Sequence, residues 1–181
     1  MSSVPPPPPA PPPPPGMMPP TSGAAGAWAA GTSPFGPLAT WVERVLASLI
    51  DGVLLVVVYI VGLILLRVAS ILGLLIMLAF IALSFYFLYL NGSVGQTPGK
   101  KVMGLKVVSE TTGQTIGGGS GIGRGLLHVV DSFICGIGYL FPLWDAKRQT
   151  LADKIIKSVV LSGVPKVAFA DAVKTSLPNK G

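Results

Sequence analysis

Ionisable residues inside apolar stretches are the first candidates for chemistry in this sequence. Asp51 is the one charged residue within the apolar run Val45–Leu66, and Arg44 precedes it by seven residues. Seven residues make about two helical turns, so Arg44, Ser48 and Asp51 are expected on one face of a helix. A charged group inside a membrane helix costs about 2.5–3.5 kcal/mol on insertion scales. We therefore expect Asp51 to be paired with another group or used in transport.

A later apolar stretch repeats this spacing, with Arg124, His128 and Asp131 at positions i, i+4 and i+7. Two helices with matched stripes, packed antiparallel, would pair Arg44 with Asp131 and Arg124 with Asp51. Two kinds of chemistry fit these residues. They are either ion pairs that hold helices together, or an ion or proton path that uses intramembrane carboxylates and histidine. Both use the same residue types, so the sequence leaves the choice open.

Composition places the chain among membrane proteins. Hydrophobic residues make up 50% of it, charged residues make up 11%, and the mean hydropathy is +0.69. A soluble domain averages about 25% charged residues. One cysteine and one histidine predict no disulfide within the chain, no Cys- or His-based metal site and no cofactor. Ser132 beside Asp131 lacks the context of a nucleophile elbow, so we expect no catalytic residues and no enzyme activity.

The elements that must position these residues are apolar helices. Val45–Leu66 would run about 33 Å as a helix, enough to cross a hydrocarbon core. Ile71–Leu90 is a second span, and only Arg67–Ser70 separate the two, which predicts a tight antiparallel hairpin. The third stretch, Leu126–Trp144, contains polar residues, glycines and a proline. We expect an all-α polytopic membrane protein with two transmembrane helices, a third re-entrant or spanning helix, and a small cytoplasmic β-hairpin.

The basic residues predict the topology. The net charge is +6. If the third stretch crosses fully, basic residues divide 5 against 8 between the two sides, whereas a re-entrant stretch leaves 12 against 1, with Arg67 alone. The positive-inside rule favours the second arrangement. The charge therefore indicates a multi-pass membrane protein with the basic loop and the N-terminal tail in the cytoplasm, and it does not indicate a nucleic-acid partner.

Three segments outside the spans have recognisable patterns. Lys101–Ser109 and Gln114–Ile116 flank a turn at Gly113, which predicts a small β-hairpin. Ser158–Leu161 is typical of a further strand, which could pair with Val102–Val108. Before them, a turn ends in the basic pair Lys100 and Lys101, which we expect to face lipid head groups.

The ends of the chain differ from its middle. Twelve of the 18 prolines lie in the first 20 residues, and such a run adopts an extended polyproline II form that builds no core. We expect residues 1–35 to be a disordered Pro-rich tail, either a spacer or a ligand for a protein partner with an SH3-, WW- or EVH1-like groove. Residues 36–162 form the membrane domain, and residues 163–181 read as a loose basic tail. Membrane lipids and a second copy of the chain are the other expected partners.

Four features in this order resemble the RDD family of bacterial membrane proteins. They are Arg44 with Asp51, the run Gly95–Val108, Arg124, and a Leu-Ala-Asp segment ending at Asp153. The resemblance covers about residues 36–162, and the Pro-rich head is similar to that of actinobacterial and mycobacterial proline-rich antigens. It implies that Arg44 is the family arginine and Asp51 its first aspartate. The second aspartate is Asp153 or the intramembrane Asp131.

The resemblance implies an integral plasma-membrane protein of a family for which transport, including cation/proton exchange, has been proposed. Two functions remain open. One is a non-enzymatic membrane module that binds partners or supports an envelope complex. The other is a small oligomeric transporter coupled to cations or protons, in which Asp51 binds the ion. A structural Asp51 stays ionised and paired, whereas a transporting Asp51 must lose its partner during the cycle.

Overall fold

Two long antiparallel helices dominate the structure. The computed structural model describes Trp28 and residues 31–133 and 137–177, with only the backbone for residues 130–133. Helix α1 spans Trp41–Val68 and helix α2 spans Ser70–Ser93, with Ala69 alone between them. Both are long and apolar enough to cross a membrane. The two predicted spans are thus confirmed as helices, each extended beyond its predicted ends.

Sequence features explain where α1 begins and why it lies close to α2. Thr40 caps α1, because its side chain accepts the N–H of Glu43 while the Glu43 carboxylate accepts the N–H of Thr40. At the other end, a Cβ on Gly73 would lie 2.3 Å from the backbone nitrogen of Leu66. Glycine therefore lets the two backbones approach at the tip of the hairpin.

A compact head packs against one end of this hairpin. Helix α3 spans Pro98–Met103 and is capped by Thr97, whose side chain accepts the N–H of Lys100. Strand β3 (Lys106–Ser109) pairs antiparallel with strand β4 (Ser158–Leu161). The buried core of the head is formed by side chains from both strands, from Leu105 just before β3, from α1 and from the segment before α1: Leu38, Ala39, Ala47, Leu105, Val107, Val108, Val159, Val160 and Leu161.

The predicted β-hairpin is wrong in its pairing and connection. Lys101 belongs to α3, because Thr97 and Pro98 provide a helix start that competes with the strand pattern. Gln114 contributes one backbone hydrogen bond, accepting from Ser109 N, but no strand. The partner of β3 is β4, as expected for Ser158–Leu161, since both strands bury their valines in the shared core.

The third apolar stretch forms short helices. Helix α4 (Gly118–Phe133) lies antiparallel to α2, and helix α5 (Ile137–Leu140) follows it, with a 3-10 turn at Phe141–Leu143. The Tyr139 hydroxyl donates to the carbonyl of His128, and the Trp41 indole donates to the carbonyl of Tyr139. The chain therefore turns back beside α4 and the start of α1. Within the described residues, α1 and α2 are the two helices that could cross a membrane.

Close packing of glycines seats α4 on α2. A Cβ on Gly92 would lie 2.0 Å from the carbonyl oxygen of Gly117 and 2.6 Å from the nitrogen of Gly121. Further along, a Cβ on Gly125 would meet the side chain of Leu88 at 2.3 Å. Small residues on both helices therefore allow α4 to lie close against α2.

Both chain ends contain more structure than the sequence indicated. Strand β1 (Thr32–Ser33) lies in the tail expected to be disordered and pairs with strand β2 (Gly36–Pro37) at the start of the expected membrane domain. Helix α6 (Leu151–Ile156) precedes β4, and helix α7 (Phe169–Lys174) lies in the stretch expected to be a loose basic tail. The Tyr86 hydroxyl donates to the carbonyl of Ser176 and so ties α7 to α2. The polyproline run lies outside the described residues.

Candidate functional site: a buried charge cluster beside a cavity

Asp153 is the centre of a buried charge cluster. Thr150 caps α6 and places this carboxylate at the start of the helix, where it is fully buried. Arg44 Nη1 donates to Oδ2 at 2.7 Å, and Arg124 Nε donates to Oδ1 at 2.7 Å. One carboxylate thus joins α1, α4 and α6. Its two guanidinium partners lie 109 and 29 residues away in the chain.

Two further donors complete the environment of Asp153. The Ser158 hydroxyl donates to Oδ1 at 2.8 Å, and the backbone N–H of Thr150 donates to Oδ2 at 3.2 Å. Burial disfavours the charged carboxylate, but Arg124 and Arg44 outweigh it and hold the pKa of Asp153 well below its usual range. Asp153 is therefore ionised at neutral pH and fixes four elements to one another.

Asp51 makes a different connection. The Thr97 hydroxyl donates to Oδ2 at 2.5 Å and the backbone N–H of Gly99 donates to Oδ1 at 2.7 Å. These bonds tie α1 to the beginning of α3. Gly99 permits this approach, because a Cβ there would lie 2.1 Å from the carbonyl oxygen of Ala47.

One of the two crosswise ion pairs expected from the matched stripes is wrong, because Arg124 pairs with Asp153 and not with Asp51. Arg44 also pairs with Asp153, and the expected pair between Arg44 and Asp131 stays a prediction. Asp131 lies in α4, but its side chain is outside the described residues. His128 stacks on Tyr139 with ring centroids 5.4 Å apart. Both arginines use Asp153 because α6, remote in sequence, places its buried carboxylate between α1 and α4.

The two neighbouring lysines of α3 have different environments. Lys101 is half-buried and its Nζ donates to Thr175 Oγ1, which holds the end of α7. Lys100 is only 8% exposed. Burial, with the nearby charge of Arg124 next in importance, lowers the pKa of Lys100 to about 8. The expectation that both lysines face lipid head groups does not fit the burial of Lys100.

A cavity of about 600 Å³ adjoins the cluster between α1, α2, α3 and α4. Its charged lining consists of Arg44, Asp51, Lys100 and Arg124. The rest of the wall includes uncharged polar and apolar side chains, among them Ser48, Ser84, Asn91, Leu49, Leu55, Phe87, Leu88 and Pro142. Among the described residues there is no group of three or more His, Cys, Asp or Glu that could hold a metal ion.

The structure brings some of the sequence-predicted residues together and separates others. Arg44, Arg124 and Asp153 meet directly, whereas Asp51 lies at the same cavity with its own partners. His128 also lines the cavity, and Lys101 does not appear in its lining. Sequence reasoning missed Thr97 and Asn91. The Thr-Pro pair before α3 signals a helix cap, which was the available clue for Thr97.

Comparison with known proteins gives a consistent result. The RDD family model matches residues 38–157. The chain is 59% identical over 71 residues to a proline-rich antigen homolog of Mycobacterium tuberculosis (strain CDC 1551 / Oshkosh), covering 39% of this chain and 30% of that protein. It is also 59% identical over 73 residues to the proline-rich antigen of Mycobacterium leprae (strain TN), covering 40% of this chain and 29% of that protein.

A more distant relative matches over a greater length. An uncharacterized protein of Haemophilus influenzae is 30% identical over 122 residues, covering 66% of this chain and 74% of that protein. The match to the mycobacterial relatives, in contrast, spans less than a third of their length. No solved structure matches this chain.

Proposed function

The chain belongs to the RDD family, and from that premise we propose that it is a non-enzymatic module of the plasma membrane. In this account α1 and α2 cross the bilayer as a hairpin. The head built from α3, β3, β4 and α6 stands on the cytoplasmic side, where it binds partners or supports an envelope complex. The charge cluster at the junction fixes the head to the spans.

The observation that carries this proposal is the convergence of Arg44 and Arg124 on Asp153. A carboxylate that carries an ion or proton must be released from its partners during a cycle. Asp153 is instead fully buried and held by four donors, which come from α1, α4, β4 and the cap of its own helix. Breaking a buried pair by removing one partner costs about 3–5 kcal/mol. A free-energy cost of this size favours a permanent structural contact over one that opens in each transport cycle.

The distribution of basic residues supports the orientation. Arg67 lies near the tip of the α1–α2 hairpin, and the other basic residues of the sequence fall outside that tip. Lys100, Lys101 and Arg124 all lie in the head or at its border with the spans. By the positive-inside rule this end faces the cytoplasm. The Pro-rich tail precedes α1 at the same end, so it would recruit its partner there.

The experiment that tests the module against a transporter is cation-driven proton flux in proteoliposomes. Wild-type protein and Asp51→Asn are reconstituted at equal density, with folding of each checked by gel filtration and circular dichroism. The module account predicts that neither protein carries flux above empty vesicles under imposed Na⁺ or K⁺ gradients. Flux in the wild type contradicts the proposal, and its loss in folded Asp51→Asn would place Asp51 on the path.

The cavity is the observation that favours the second candidate, a small cation/proton-coupled transporter. It lies beside Asp51 at the level where α1 and α2 enter the head. Two spans do not enclose a path across the bilayer, so this function would require an oligomer. The same flux measurement decides between the two candidates.

A further inference from the structure

One edge of a buried guanidinium is unused in the charge cluster. Arg44 Nη1 bonds Asp153, but Nε and Nη2 of the same side chain are buried with no hydrogen-bond partner among the described residues. These two nitrogens form the side of the guanidinium fork that binds two oxygens of one carboxylate or phosphate. A buried unpaired donor costs free energy, so such an edge calls for an acceptor.

Two more polar groups that line the same cavity have no hydrogen-bond partner among the described residues. Lys100 lines the cavity and its Nζ makes no hydrogen bond or ion pair within the described part of the chain. The Oδ1 of Asn91 is buried there and likewise lacks a hydrogen-bond partner among the described residues. The lining therefore combines a free guanidinium edge, an ammonium group and one acceptor, which would suit a hydroxyl beside an oxyanion.

The charges that line the cavity indicate whether its ligand is an anion or a cation. Arg44, Arg124 and Lys100 face two carboxylates, Asp51 and Asp153. Both carboxylates are already occupied by hydrogen-bond donors of this chain. The unsatisfied capacity is thus on the cationic side, which favours an anion over a metal cation.

The rest of the wall is apolar and is contributed mainly by α1 and α2. Leu49, Leu55, Phe87 and Leu88 line it next to helix faces that expose large hydrophobic side chains. A volume of about 600 Å³ exceeds what a bare phosphate or carboxylate fills. The walls therefore suit a ligand with an apolar body behind its charged head.

We propose that this cavity binds an oxyanion, a phosphate or carboxylate group borne on an apolar body, through the Nε/Nη2 edge of Arg44 and the Nζ of Lys100. An anionic lipid carries such a group as its head group, and a free phosphate offers the same oxyanion chemistry without the apolar body. This inference goes beyond the proposed function and does not depend on it, because a module without bound ligand would still anchor and support partners.

The test compares Lys100→Gln with the matched control Lys101→Gln in the full-length protein. The Lys100 ammonium group makes no hydrogen bond or ion pair with the residues that the structure describes, and Lys101 lies next to it outside the cavity. One arm places each protein in phosphatidylcholine nanodiscs with rising phosphatidylglycerol and counts retained lipid by native mass spectrometry. The other arm titrates inorganic phosphate in detergent, at constant ionic strength set with NaCl, and follows thermal unfolding.

Wild type and Lys101→Gln are expected to bind the probe, and Lys100→Gln at least about tenfold more weakly. Binding of phosphatidylglycerol alone identifies a lipid head group, and binding of inorganic phosphate identifies a free anion. Arg44→Lys keeps a charge toward Asp153 while removing the free edge, and it should lose binding as well. The proposal is overturned if neither probe binds, or if Lys100→Gln binds as tightly as Lys101→Gln.

Discussion

Replacing Asp153 by asparagine should be among the most damaging single changes in the head. The substitution keeps the shape of the side chain but removes the charge that Arg44 and Arg124 both face at 2.7 Å. Because Asp153 is fully buried, neither guanidinium can turn to water without opening the head. Removing one member of a buried ion pair costs about 3–5 kcal/mol, and two partners are orphaned here. We expect the free energy of unfolding to fall by at least this amount.

The assay is equilibrium unfolding in detergent micelles, followed by tryptophan fluorescence, with Glu110→Gln as the control. Glu110 forms a more exposed ion pair with Lys147 at 3.5 Å, and such pairs contribute about 0–1 kcal/mol. The two substitutions remove the same charge and preserve side-chain shape. A loss in Asp153→Asn as small as in Glu110→Gln would refute the reasoning from convergence.

The pH dependence of the same comparison follows from the lowered pKa of Asp153. A carboxyl group whose pKa is lower in the folded state than in the unfolded state stabilises the fold fully above its unfolded pKa. The contribution disappears as pH falls toward the folded pKa. The gap between wild type and Asp153→Asn should therefore be constant from pH 7 to 5 and narrow only below about pH 4.

Three further predictions concern the head and the helices packed against it. The pKa of Lys100 is about 8 in the folded protein, against about 10.5 in the unfolded chain. Between these two pH values the unfolded chain binds more protons than the folded protein, so the free energy of unfolding of the ligand-free protein should rise with pH. Denaturation experiments on Lys100→Gln should show no such rise. Thr97→Val removes a donor to Asp51 and should lower the free energy of unfolding by about 1.5–3 kcal/mol in denaturant titrations. Gly92→Ala should prevent α4 from seating on α2, seen as loss of folded protein in gel filtration, whereas Gly52→Ala, with nothing within 4 Å of its Cβ, should fold normally.

The long helices could be predicted from the sequence because their signal is local. Two apolar runs long enough to cross a membrane, separated by a short polar break, predict both helices. The structure only extends each helix by a few residues, for example to the Thr40 cap of α1. Arg44 and Asp51 were also identifiable, since a charge in an apolar run is costly and needs a partner.

The partners of these charges could not be predicted from spacing. Arg44 meets Asp153 across 109 residues, and helical periodicity carries no information about contacts of that range. Only the order of motifs shared with the RDD family pointed to Asp153. Similarly, the Pro-Gly-Lys-Lys segment is typical of a polar turn, and the burial of Lys100 arises from packing of α3 against the other helices.

The most direct test of the central claim, that the charge cluster is a permanent joint between spans and head, is a double-mutant cycle between Arg44 and Asp153. The four proteins are wild type, Arg44→Gln, Asp153→Asn and the double variant, compared by free energy of unfolding in micelles. Orphaning one buried charge costs more than removing the pair together. The account predicts a double variant more stable than the sum of the single effects by about 1–3 kcal/mol. Single effects that add to within about 0.5 kcal/mol would contradict it.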